Sequence, residues 1–127
     1  MNVTFTNKGT LAVPLSCSQD KGFAVLLDPG MPYTVNLATA TVVNVGDNPT
    51  FLEELSESIK DLIDIVLKWR EKKAEDGNDS VGVAIENHGP NALRVLLGSN
   101  VDEVTVSPGT TYDAYANGYV EVRELGV

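Results

Sequence analysis

The residues of this chain that could do chemistry are few and widely spaced. Cys17 is the only cysteine and His88 the only histidine. A Ser or Cys nucleophile needs a base that a third group holds in place, and nothing in the spacing of Cys17 and His88 arranges that. Cys17, in a β-type run, reads as a small buried side chain, and His88, in Asn87-His88-Gly89, as an exposed turn residue. The carboxylates Asp102-Glu103 and Glu121 with Glu124 could pair for acid–base work. Their positions are those of turns and edge strands, where charge discourages unwanted strand pairing. The run Asp76-Gly77-Asn78-Asp79-Ser80 offers oxygen ligands but lacks the ordered spacing and closing Glu of a calcium loop. Gly30, Gly46, Gly77 and Gly98 stand singly among turns, so no glycine-rich phosphate cradle is encoded. The expectation is a protein that is not an enzyme, with no catalytic residue, metal site or cofactor.

Aromatic side chains suggest a different use. Tyr112, Tyr115 and Tyr119 fall within eight residues of one another, and Tyr33 lies in the other half of the chain. Such residues could stack against sugar rings. Core packing and cross-strand pairing are a simpler account of aromatics in strands.

The elements that must carry these residues repeat. Asn7-Lys8-Gly9 follows the alternating run Val3, Phe5, and Asn87-His88-Gly89 follows Val81, Val83, Ile85. Asp28-Pro29-Gly30 follows Val25-Leu26-Leu27, with Tyr33 three residues past the glycine. Ser107-Pro108-Gly109 follows Val104-Thr105-Val106, with Tyr112 in the same place. The Asn-x-Gly offset is 80 residues and the Pro-Gly offset is 79. Each unit closes on a further β-type run, Thr41–Val45 in one and Tyr119–Val122 in the other. Pro sets φ for the second position of a tight turn and Gly accepts the positive φ of the third, so both Pro-Gly pairs predict type II turns. The period-2 alternation predicts strands with one buried face, about four per unit at the spacing usual in sandwiches and barrels.

Between the units lies a segment of another character. Thr50-x-x-Glu53 fits a capping box, acids at Glu53, Glu54 and Glu57 suit a helix N-terminus, and Lys68, Arg70, Lys72 and Lys73 suit its C-terminus. A helix from Phe51 to Lys73, with Gly77 as its stop, is expected to be about 34 Å long. Leu52, Leu55, Ile59, Leu62, Val66 and Trp69 form one apolar stripe at 3-4-3-4-3 spacing, widened by Ile63 and Ile65. The stripe either covers the chain's own sheet or makes a seam between subunits, with Trp69 as the anchor of such an interface. The acids and lysines beside it, Glu54, Asp61, Asp64, Lys60 and Lys68, read as a solvated face.

Composition narrows the partners. Of 127 residues 43% are hydrophobic, enough for one compact domain. The net charge is -9, made up of -1 over residues 1–49, -3 over 50–76 and -5 over 77–127. A field of that sign repels phosphate backbones and anionic lipid surfaces, which argues against nucleic acid and membrane partners and suits a positive protein surface. The lone cysteine excludes an internal disulfide. The opening Met1–Lys8 lacks the pattern of a signal peptide, and Leu62–Leu67, interrupted by Asp64, is too short to span a bilayer. A cytoplasmic site of synthesis is expected.

Where Asn-x-Gly, a V-x-V strand, Pro-Gly and a closing strand recur in order, the chain resembles the small β-sandwich virion proteins of tailed bacteriophages, and among them the capsid decoration, or cement, proteins. The stretch Val83 to Glu124 carries most of the likeness, about a third of the chain. The resemblance implies a virion protein that binds capsid subunits at symmetry axes, often as a trimer, and stabilises the shell against internal pressure. It transfers no site residue, since such proteins have no catalytic motif, and a helix between two β units is a departure from the pattern. The expectations are thus a mainly β, α+β protein: one domain, with a first β unit over 1–48, helix and linker over 50–76, and a second β unit over 77–127. Its expected role is structural, as a homo-oligomer on a phage capsid. The alternative is a carbohydrate- or receptor-binding module using Tyr112, Tyr115 and Tyr119.

Overall fold

The computed structural model describes residues 2–17, 23–36, 42–46, 60–76, 80–98 and 102–124. Among them are ten strands and one helix: β1 (Asn2–Asn7), β2 (Val13–Cys17), β3 (Phe23–Leu27), β4 (Pro32–Asn36), β5 (Val42–Gly46), α1 (Lys60–Asp76), β6 (Ser80–Asn87), β7 (Leu93–Leu97), β8 (Glu103–Val106), β9 (Thr111–Asn117) and β10 (Tyr119–Glu124). The protein is mainly β with a single described helix, the class its sequence predicts. The capping box and the first part of the expected helix lie outside the described residues, as does Gly77. No described helix is long and apolar enough to cross a membrane.

Two sheets form, one of order β4-β1-β6-β9 and one of order β3-β2-β5-β10-β7-β8. Numbering the second unit's strands in parallel with the first makes each order a palindrome: β6 stands for β1, β7 for β2, and so on to β10 for β5. The two units therefore meet twice, through β1 with β6 and through β5 with β10, both antiparallel. Phe5 pairs with Ile85, its own counterpart eighty residues on, so the pseudo-twofold axis crosses the small sheet at that pair. In the large sheet β2 pairs Leu15 with Val45 and β7 pairs Val95 with Val122, which sets the β5-to-β10 offset at 77. Asn44 and Glu121, related by that offset, face each other at the axis.

Each unit has five strands where the sequence suggested about four. Neither β2 nor β7 is among the runs that the repeated turns mark out; in β2 Val13, Leu15 and Cys17 keep the apolar alternation, but Pro14 within the run counts against a strand. Pro14 lies just outside the ladder to β5, which pairs only Leu15 and Ser16, so its missing N–H removes no bond there.

The core sits between the sheets, where Val3, Phe5, Leu15, Val43, Val45, Val81, Val83, Ile85, Leu93, Val95, Val120 and Val122 are fully buried. Nearly all are β-branched or aromatic residues on alternate positions, which is why short strands suffice to hold the fold. The units differ outside that core. β2 is buried along its whole length, whereas β7 buries only alternate residues fully. The difference follows from α1, which packs against β2 and β3 and buries Val66 and Trp69.

Candidate functional site

Asn-x-Gly, legible as a turn, proves to be a clasp. The Asn7 side chain donates from Nδ2 to the Leu11 carbonyl at 2.7 Å and to the Leu27 carbonyl at 2.8 Å, and its Oδ1 accepts from the Gly9 N–H at 2.8 Å. Asn87 does the same with Asn91, Val106 and Gly89, at 2.9, 3.1 and 3.0 Å. Both asparagines are at most 1% exposed. The backbone carbonyls of the same residues accept from Gly30 N–H at 2.9 Å and Gly109 N–H at 2.8 Å. Each asparagine thus ties the turn after the unit's first strand to the end of its third strand and to the Pro-Gly turn. Those turns have the type II form: Gly30 and Gly109 sit at φ 76° and 77°, and Met31 and Thr110 N–H donate to Asp28 and Ser107 at 3.0 and 3.2 Å.

Cys17 and His88 do not share a sheet. Cys17 is buried at the end of β2 in the large sheet. His88 follows β6 in the small sheet, exposed, its Nε2 3.4 Å from Glu86 Oε1. The carboxylates are dispersed too. Glu103 is gripped by Arg94, whose Nη2 donates to Oε2 at 2.7 Å while Nε lies 2.7 Å from Oε1 without hydrogen-bond alignment. Glu121 Oε1 accepts from Arg123 Nη2 at 3.4 Å. Glu124, 5% exposed, accepts at Oε1 from Asn91 Nδ2 at 2.9 Å.

The three tyrosines fall on three different surfaces. In β9, Tyr112 alternates with Tyr115: Tyr112 packs against the core cluster, whereas Tyr115 points outward and is 64% exposed. Tyr119 lies on β10, in the other sheet, out of phase with the buried Val120 and Val122. Tyr115 lies over Gly82, opposite it in β6, where an added Cβ would meet the ring at 3.1 Å. A side chain at position 82 would require the ring to shift by a few tenths of an ångström.

Of the helix stripe, Leu52, Leu55 and Ile59 lie outside the described residues, and Leu62 is in α1 without a described side chain. Val66 and Trp69 are 2% and 3% exposed, and Trp69 joins the core cluster. The described part of the stripe therefore covers the chain's own sheet, one of the two arrangements its spacing allowed. Leu67, off the stripe, is 49% exposed.

The outward face of the small sheet is instead polar. Thr4 and Thr34 share a hydrogen bond at 2.8 Å, with Glu86 paired to Thr4 and Asp113 and Tyr115 on the flanking strand. That these residues, drawn from four distant strands, share one face is not legible from local sequence patterns. Neither a protein-family model nor a curated protein sequence matches this chain.

Proposed function

We propose that this protein is a non-catalytic structural module that binds a repeating protein surface, as a decorating protein of a phage capsid, made in the host cytoplasm and carried on the virion. The observation that supports this most is the twofold-repeated frame, in which Asn7 and Asn87 spend their buried polar groups on the chain's own carbonyls. Such a frame holds two sheet faces rigid and offers area for contact. Binding of this kind relies on many weak contacts multiplied over copies of the protein, and the net charge of -9 suits a basic patch on the partner.

A glycan-binding reading keeps one favourable observation, the exposed Tyr115 ring seated over Gly82. The two readings separate in one experiment: the labelled chain is added to purified capsids that lack it, and separately passed over immobilised glycans. Saturable capsid binding that survives Tyr115→Ala supports the structural role. Glycan retention abolished by the same substitution, with no capsid binding, overturns it.

A further inference from the structure

The four sheet edges are unequally protected. In β1, Lys8 N–H bonds to Gly82, so its even-numbered residues face β6 and its odd-numbered ones face β4. Within β4 the outward backbone positions are then Pro32, Thr34 and Asn36, and Pro32 offers no N–H there. At the other sheet's edge, α1 packs on β3 together with its neighbour β2. The β8 edge is four residues long and carries Glu103, held by Arg94.

Among the described residues the β9 edge has no proline, no packed helix and no shortened length to protect it, and carries a single charge, Asp113. It is seven residues long, pairs in unbroken register with β6 from Asn117 to Thr111, and holds neither proline nor lysine. Asn87 N–H bonds to the Thr110 carbonyl, which directs Tyr112, Ala114 and Ala116 backbone groups to β6. The N–H and C=O groups of Thr111, Asp113, Tyr115 and Asn117 therefore point away from the sheet. Thr111 takes the place that Pro32 takes in the first unit, one offset of 79 away. The duplicated edges thus differ in the residue that blocks strand addition.

We propose that β9 is a self-association edge, where a second copy of this chain adds its own β9 antiparallel to form a continuous eight-stranded sheet. Its outward groups are all on odd-numbered residues, so a twofold register centred on Ala114 matches donors with acceptors: Asp113 with Tyr115 of the second copy, and Thr111 with Asn117. A register centred on Asp113 sets like charges face to face and is disfavoured. At Ala114, on the buried side, the small side chain lets the two strands meet without a clash. The proposal gives a surface to the homo-oligomer in the shell-binding reading, but its test uses no shell, so either can fail alone.

The test is sedimentation equilibrium of the full chain over a range of concentrations. Wild type should reach twice its mass of 13.6 kDa. Asp113→Pro removes an outward N–H and leaves the β6 ladder intact. It should weaken dimerisation about tenfold or more with an unchanged circular dichroism spectrum, and Thr111→Pro, which copies the first unit's edge, should weaken it less. Because each copy carries -9, added salt should tighten the dimer. Should Asp113→Pro fail to fold, amide exchange on wild type decides: Asp113 and Tyr115 amides should gain protection as concentration rises. A wild-type monomer throughout, a dimer indifferent to both prolines, or Asp113 and Tyr115 exchange that ignores concentration overturns the proposal.

Discussion

Asn7 and Asn87 make the same four hydrogen bonds eighty residues apart, three through the side chain and one through the backbone carbonyl. One half of the molecule serves as the internal control for the other.

Asn87→Ala and Asn7→Ala should each destabilise the fold by about 3 kcal/mol, since each strands two carbonyls and one N–H in a buried site. Urea unfolding of the two variants should give losses that agree within about 1 kcal/mol. A loss at one site only would show that the two clasps are not equivalent in energy.

Gly46 and Gly30 both have positive φ, 96° and 76°, but only Gly46 is crowded. An added Cβ there would fall 2.5 Å from the Gly118 carbonyl, whereas nothing lies within 4 Å at Gly30. Gly30→Ala should cost about 1 kcal/mol from backbone strain alone, and Gly46→Ala distinctly more, as read from thermal midpoints. Equal losses would argue that the close approach at Gly46 relaxes freely.

Trp69→Ala should cost about 3–5 kcal/mol, the usual range for a buried aromatic, because the ring is 3% exposed against β2 and β3. Leu67→Ala, at 49% exposure, should stay within about 0.5 kcal/mol of wild type. Denaturant melts of both variants check whether α1 is held by its own sheet.

Arg94→Ala should cost less than about 1 kcal/mol, with the difference shrinking at high salt, because the pair with Glu103 is solvent-exposed. Its counterparts in the first unit are Pro14 and Ala24, where α1 packs on β2 and β3. A larger loss in urea would mark the ion pair as a structural tie.

Local chemistry made much of this fold legible. The Pro-Gly turns and the Asn-x-Gly turns were readable because φ preferences act within four residues, and their common offset disclosed the duplication. What spans the chain was not: that Asn7 would reach a carbonyl twenty residues on, or that β1 would pair with β6 and β5 with β10. Pro14 hid β2, because a proline within a short run counts against a strand even where Val13, Leu15 and Cys17 alternate around it. The three tyrosines look close in sequence, yet strand alternation and a change of sheet part them. Nothing in the run TYDAYAN marks it as an open edge until its neighbours are known.

A decorating protein must reside on the particle it decorates. Virus particles from cells that make this chain should be banded on a density gradient and their proteins counted by quantitative mass spectrometry. The chain should be present at a fixed ratio to the major capsid subunit, in tens to hundreds of copies per particle. Its recovery only in the unsedimented fraction, with particles free of it, would contradict the structural role.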